Sequence, residues 1–211
     1  MAKPLPTSVR NHLTGLRLLL LFTVICGLAY PLLITGISQV AFSKQANGSL
    51  VKVDGKVVGS SLIGQSFEIV SKDGKTANPD PKYFQSRPSD AGTGLLGYDP
   101  TASGGSNQGA SSPVLVSDYT ALKASIAAFN GVPQSQVPAD AITASGSGLD
   151  PDISPAYADI QVDRVAKARG LSVGAVQALV TKYTQSRNLG FLGEPRVDVL
   201  NLNIALDQLK G

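Results

Sequence analysis

Two glycines, Gly146 and Gly148, stand in the segment TASGSGLDPDISPAYADIQVDRVAKARGL, residues 143–171, just ahead of a predicted helix. Glycine before a helix is a common way to hold phosphate, because backbone N–H groups and the helix dipole favour an anion there. A P-loop, however, needs G-x-x-x-x-G-K-[ST], in which the lysine reaches the terminal phosphates and the hydroxyl holds magnesium. Here Leu149, Asp150, Pro151 and Asp152 follow Gly148, so acid stands where lysine is required. A dinucleotide fingerprint is absent as well. The run therefore reads as a tight polar loop, expected to seat the following helix against a partner or against another loop. Asp150 and Asp152 suit the positive N-terminal end of that helix.

The other chemistry-bearing residues are sparse. Ser86, Ser103, Ser111 and Ser112 are candidate nucleophiles, but an activated serine needs an adjacent base oriented by a third group. The only histidine, His12, lies in the N-terminal tail, which leaves lysine as the conventional base. The single cysteine, Cys26, sits in an apolar run, so a disulfide or a multi-cysteine metal site within the chain is excluded. No catalytic residue and no metal ligand is assigned. A membrane-anchored envelope hydrolase and an envelope ligand-binding module stay open as alternatives.

The charge pattern points to a membrane. Of 18 Lys+Arg residues, Lys3, Arg10 and Arg17 precede residue 44, where no acid occurs. Fifteen basic residues then face fifteen acidic ones in the remainder, so the body of the protein is neutral. A nucleic-acid binder would carry a basic face on that body, and nucleic acid is not expected as a partner. From Leu18 to Phe42 the chain is uncharged. Roughly 20 apolar residues span the hydrocarbon core, and Pro31 is tolerable inside a membrane helix. A cleaved signal peptide is the competing reading, but its apolar core is about 7–15 residues. A lipoprotein is excluded by bulky Ile25 before Cys26. With three basic residues before the span and only Lys44 close behind it, the positive-inside rule places the N-terminus in the cytoplasm. The expected divisions are a cytoplasmic tail (1–17), a transmembrane helix (18–42) and an extracytoplasmic domain (43–211).

That domain reads as α+β, with a small β-hairpin or sheet and several helices. Residues 50–59, LVKVDGKVVG, form two β-branched runs around Asp54-Gly55, a type I′ turn signal. SLIGQSFEIV (61–70) is a candidate third strand, and 71–116 is a long irregular stretch of the kind that is usually functional. Ser117 reads as a helix N-cap, with Tyr119, Leu122, Ile126 and Phe129 as an apolar stripe ending at Gly131. Ser154-Pro155 starts a helix expected to run to Arg169, stopped by Gly170. Ser172 caps another. The tail EPRVDVLNLNIALDQL alternates partly like a strand, but Pro195 and the Leu202-Leu206-Leu209 spacing favour a helix.

Five phrases in this order behind one span, GSSLIGQSF, YFQSRPS, ASGGSNQGASS, TASGSGLDPDISPAYADIQVDRVAKARGL and LGFLGEPRVDVLNLNIAL, closely resemble the C subunit of the bacterial Kdp potassium-transporting P-type ATPase. The resemblance covers nearly the whole chain; one departure is Asp152, where many members have histidine or asparagine. It implies a single-pass protein of the bacterial plasma membrane, an accessory to assembly and activity that is not an enzyme on its own. Its partners would be the potassium-pore subunit, the ATP-hydrolysing subunit and a small single-span peptide subunit. The chain fits that division of labour, because it lacks the Asp-Lys-Thr-Gly setting of the phosphorylated aspartate and one span cannot enclose an ion path. The family is also described as a catalytic chaperone that raises the pump's ATP affinity through a glutamine. Matching the motif points to Gln161, with Arg164 as a possible neighbour, so no cofactor is held firmly and ATP is met through the complex. The competing role for this pair is to hydrogen-bond a neighbouring loop or subunit.

Overall fold

The computed structural model describes residues 6–94 and 96–209, and the chain divides into two compact units, Met1–Ser49 and Leu50–Gly211. Lys3 lies outside the described residues.

The first unit is dominated by one helix, Thr7–Ala41, with a mean hydropathy of 2.3 over an 18-residue window. It consists of α1 (Thr7–Val24), a π turn (Ile25–Ala29) and α2 (Tyr30–Ala41). The helix starts well before Leu18, where its first turns are closed by side chains. His12 Nδ1 lies 2.7 Å from the Ser8 carbonyl, and Thr14 Oγ1 donates to the Arg10 carbonyl at 2.9 Å. The π turn answers the problem set by Pro31. Proline has no N–H for the carbonyl of Gly27 and its ring crowds that carbonyl, and a widened turn relieves both. A short helix α3 (Ser43–Ala46) follows.

In the second unit the first hairpin forms as expected. Strands β1 (Leu50–Val53) and β2 (Lys56–Ser60) are antiparallel, and Asp54 and Gly55 take φ values of 49° and 78°, as a type I′ turn requires. Gly59 comes so close to Leu200 that a Cβ there would stand 2.8 Å from its side chain, which presses the hairpin onto the last helix. The candidate third strand pairs elsewhere. Only β3 (Glu68–Val70) forms from it, and it joins β4 (Ala77–Pro79) through a turn containing Gly74 at φ 69°. Side chains within the turn favour this pairing: the Lys75 amide donates to Asp73 Oδ1 and the Thr76 amide to Ser71 Oγ.

Helix α4 runs Pro113–Asn130, so Ser112 and not Ser117 stands at its N-cap. Pro113 at the first helical position explains the earlier start, since its fixed φ is already helical and its missing N–H is an orphan there anyway. Gly131 ends the helix at φ 70°. After a short 3-10 turn (Gln134–Gln136) and α5 (Ala139–Ile142), strand β5 (Asp152–Ile153) leads into α6 (Pro155–Asp159). Ser154 caps α6 by accepting from the Tyr157 amide. The single helix expected to Arg169 is broken. Ile160 and Gln161 have ψ near −15°, the Gln161 amide bonds back only three residues to Ala158, and α7 (Val162–Arg169) then begins afresh. Gly170 stops α7 at φ 67°, and Ser172 caps α8 (Val173–Tyr183) through the Ala175 amide.

The tail is both elements in turn. Strand β7 (Arg196–Asp198) is followed at once by α9 (Val199–Gln208), with Asp198 capping through the Asn201 amide. Strands β5 and β6 (Thr184–Gln185) flank β7 in a three-stranded antiparallel sheet. The core lies among this sheet and helices α6 to α9, where Phe84, Val165, Val176, Val180, Val197, Leu202 and Leu206 are all fully buried. Each such side chain contributes about 1.5–3 kcal/mol by leaving water.

Candidate functional site

The break between α6 and α7 turns Gln161 inward, to 0% exposure. Its amide grips both backbone groups of one residue in the irregular stretch. The Gln85 backbone N–H donates to Gln161 Oε1 at 2.7 Å, and Gln161 Nε2 donates to the Gln85 carbonyl at 3.2 Å. The preceding residue is held in the same way from α9. The Phe84 N–H donates to Asn203 Oδ1 at 2.9 Å, and Asn203 Nδ2 donates back to the Phe84 carbonyl at 3.0 Å. Two buried side-chain amides thus do for Phe84-Gln85 what neighbouring strands do for a sheet residue, satisfying both backbone groups of each.

Arg164 completes the seam. Its Nη2 donates to Gln161 Oε1 at 2.8 Å, its Nε to Asn130 Oδ1 at 2.9 Å, and its Nη1 to the carbonyls of Pro81 (2.7 Å) and Tyr83 (3.0 Å). The guanidinium lies 4.4 Å over the Phe129 ring. Among the described residues no carboxylate bonds it; carbonyl dipoles and an aromatic face carry the charge, and burial pulls its pKa down to about 10. Arg164 therefore remains a cation at neutral pH. The Gln85 side chain adds bonds to the carbonyls of Phe67 and Asp80, both at 3.0 Å.

The Gly/Ser run meets the same irregular stretch. Gly104 N–H and Ser103 Oγ donate to the Ser147 carbonyl, at 2.9 and 3.0 Å, and Ser89 Oγ donates to the Gly148 carbonyl at 2.6 Å. Gly148 has φ 66°, and a Cβ on it would stand 2.7 Å from Ala91 and from the Gly104 carbonyl oxygen. The run's own amides turn inward, Gly148 N–H to Ser145 and Leu149 N–H to Ser147 Oγ. It clasps a loop. Asp150 and Asp152 do not serve the helix dipole. Asp150 pairs with Arg87 of the irregular stretch at 2.7 Å, and Asp152, on β5, pairs with Arg196 of the adjacent β7 at 3.1 Å. The carboxylate that meets the start of α6 is Asp140, which accepts from Ser154 N–H and Oγ.

Beside the seam opens a cleft of about 410 Å³, whose walls include Phe67, Glu68, Arg87, Tyr98, Phe129 and Tyr157. Gln85 and Asn130 reach it, whereas Gln161 and Arg164 are not among its lining residues. Burial raises the Glu68 pKa and pushes Tyr98 up to about 12, so both favour their neutral forms more than usual. Three of the four candidate serines spend their hydroxyls elsewhere, and Ser111 is exposed on the surface. Ser86 donates to the Gln65 carbonyl, Ser103 to Ser147, and Ser112 to Gln108. Among the described residues no group of three or more His, Cys, Asp or Glu is placed to hold a metal ion.

Gln161 and Arg164, singled out in the sequence, are therefore brought together, and a structural break aims them at a loop. Asn203, Gln85 and Asn130 were missed. The only signal for Asn203 was a polar residue among the leucines of VLNLNIAL, on the face that α9 buries.

A family model described as KdpC, K+-transporting ATPase, c chain, matches residues 12–208. A Streptomyces coelicolor protein named potassium-transporting ATPase KdpC subunit is 50% identical over 218 residues, covering 99% of this chain and 97% of its own. Proteins of the same name from Methylococcus capsulatus (48%; 95% of this chain, 99% of the relative) and Caulobacter vibrioides (52%; 89% and 87%) are similarly close.

Proposed function

The chain belongs to the KdpC family, the c chains of K+-transporting ATPases, and from that premise we propose that it stabilises the pump's pore and ATP-hydrolysing subunits, together with a small single-span subunit, without itself performing chemistry. The family match along residues 12–208 carries this reading. The hydroxyls of Ser86, Ser103 and Ser112, committed to carbonyl and amide oxygens, agree with it. The Thr7–Ala41 helix is the membrane anchor, with the N-terminus in the cytoplasm and the domain outside. A reporter that works only in the cytoplasm, fused after Gly211, should be inactive in cells; activity would reverse the orientation.

Gln161 and Arg164 act on the pump through the fold. The observation that supports this is the engagement of both Gln161 amide atoms with the Gln85 peptide, so that reaching an adenine edge would mean abandoning a buried backbone pair. The second reading, a nucleotide contact by Gln161 beside Arg164 with ATP met through the complex, rests on the family's implicated glutamine. An ATPase titration of the purified Gln161→Ala complex separates the two. Lower yield or maximal rate at an unchanged half-saturating ATP concentration supports the fold. A several-fold higher half-saturating concentration with normal yield would transfer the role to nucleotide binding.

A further inference from the structure

The connection between β6 and β7 carries apolar side chains that the fold does not use. Beyond the paired ends of those strands the chain closes into a second, tighter hairpin, in which Asn188 and Leu192 exchange both backbone hydrogen bonds at 2.9 Å. Arg187 and Glu194 bridge its base at 2.7 Å. At its tip Leu189 is 83% exposed, Phe191 70% and Leu192 49%. The tip's backbone is closed by those bonds and by the Phe191 N–H donating to the Asn188 carbonyl at 3.3 Å, and Gly190 and Gly193 take its left-handed positions at φ 80° and 77°. Leu189 itself takes φ 53°, a left-handed conformation that burdens a residue with a Cβ. In the free chain that strain brings no packing in return, since the side chain it presents points into water. Strain kept at such a place is a mark of function.

We infer that the 188–192 tip is a preformed plug that seats Leu189, Phe191 and Leu192 in an apolar pocket on a partner subunit of the same potassium pump, an inference that rests on the accessory-subunit reading above. The charge around the tip selects this occupant over the bilayer. Insertion into an anionic leaflet is normally backed by unpaired basic residues. Here the one basic residue at the base, Arg187, is neutralised by Glu194, and no lysine, tyrosine or tryptophan stands between residues 186 and 195. A neutral collar around a rigid aromatic tip is the composition of a protein–protein anchor, in which a few buried aromatic residues carry most of the affinity. Rigidity helps, because a tip already in its bound shape loses little entropy on docking.

Two measurements on the full chain, co-expressed with the other pump subunits in membranes, test this. With p-benzoylphenylalanine in place of Phe191, illumination should produce an adduct with a pump subunit; adducts with lipid alone, or none, would overturn the proposal. Separately, Phe191→Asp should reduce co-purification of the chain with the pump by about tenfold or more. Leu189→Gly, which removes the side chain and the strain together, should weaken co-purification while leaving the chain's own melting temperature no lower. Normal retention of both variants would refute the plug and leave the accessory role intact. Failure of the unaltered chain to co-purify would instead refute the accessory role.

Discussion

The seam around Gln161 and the tip around Phe191 solve opposite problems. In the seam, polar side chains are buried and every one is bonded; in the tip, apolar side chains are exposed and the backbone alone is bonded. The first arrangement gives shape to a stretch with little regular structure, since Phe84 and Gln85 borrow from Asn203 and Gln161 the partners that a sheet would have supplied. The second leaves the core indifferent to the side chains it displays. Substitutions should accordingly cost folding in one region and association in the other.

The largest effect is expected at Arg164. Arg164→Ala removes the donor to the Pro81 carbonyl and to Asn130 Oδ1, and one of two donors to the Tyr83 carbonyl and to Gln161 Oε1, and should cost about 3–5 kcal/mol as several partly or fully buried acceptors lose a charged donor together. Thermal or urea unfolding of the full chain in detergent measures it. Arg164→Lys should recover only part, since one ammonium cannot reproduce a fork that serves both Asn130 and the loop carbonyls. A loss below about 1 kcal/mol for Arg164→Ala would mean that solvent reaches the seam.

Next come the two amide clamps. Gln161→Ala and Asn203→Ala should each cost about 1–3 kcal/mol, because each leaves a buried peptide unpaired. Since the two clamps share the Phe84-Gln85 peptide, the double variant should depart from the sum by at least about 0.5 kcal/mol. Strict additivity would mean that the loop is held elsewhere.

A smaller, pH-dependent effect belongs to the sheet that joins the regions. Asp152 sits opposite Asp198 across β5 and β7, and burial pushes its pKa up to about 6, an effect that Arg196 offsets only in part. A carboxyl that binds its proton more tightly when folded stabilises the fold most at low pH. Stability should therefore fall as pH rises from about 4 to 6, by roughly 1 kcal/mol once solvent screening at this half-exposed site is allowed for. Asp152→Asn should flatten that slope in unfolding curves taken across the range.

The smallest effect on folding is expected at the tip itself. Phe191→Ala should change chain stability by no more than about 0.5 kcal/mol, as for an ordinary surface position. A loss matching that of Gln161→Ala would erase the distinction between the regions.

Features whose cause lies within a few residues were legible before any coordinates. The Asp54-Gly55 turn, the stops at Gly131 and Gly170, the caps at Ser154 and Ser172, and the apolar helix all follow from local geometry or composition. Where two local signals competed, tertiary context arbitrated: Ser112-Pro113 outranked Ser117, whereas in the tail the favoured helix forms over Val199–Gln208 after three residues of strand. The phrases around Gln161 identified the family, because order and spacing along the chain are themselves sequence properties. What Gln161 does was a different matter. Its partner Gln85 lies 76 residues away, and Asn203 meets Phe84 across 119. Only the packing of α7, α8 and α9 around Val176, Val180, Leu202 and Leu206 brings them together, since a buried amide has no local preference for one distant peptide over another. Composition and local pattern determined the long apolar helix, the element types and the family; tertiary packing alone decided that the singled-out glutamine faces the chain's own backbone.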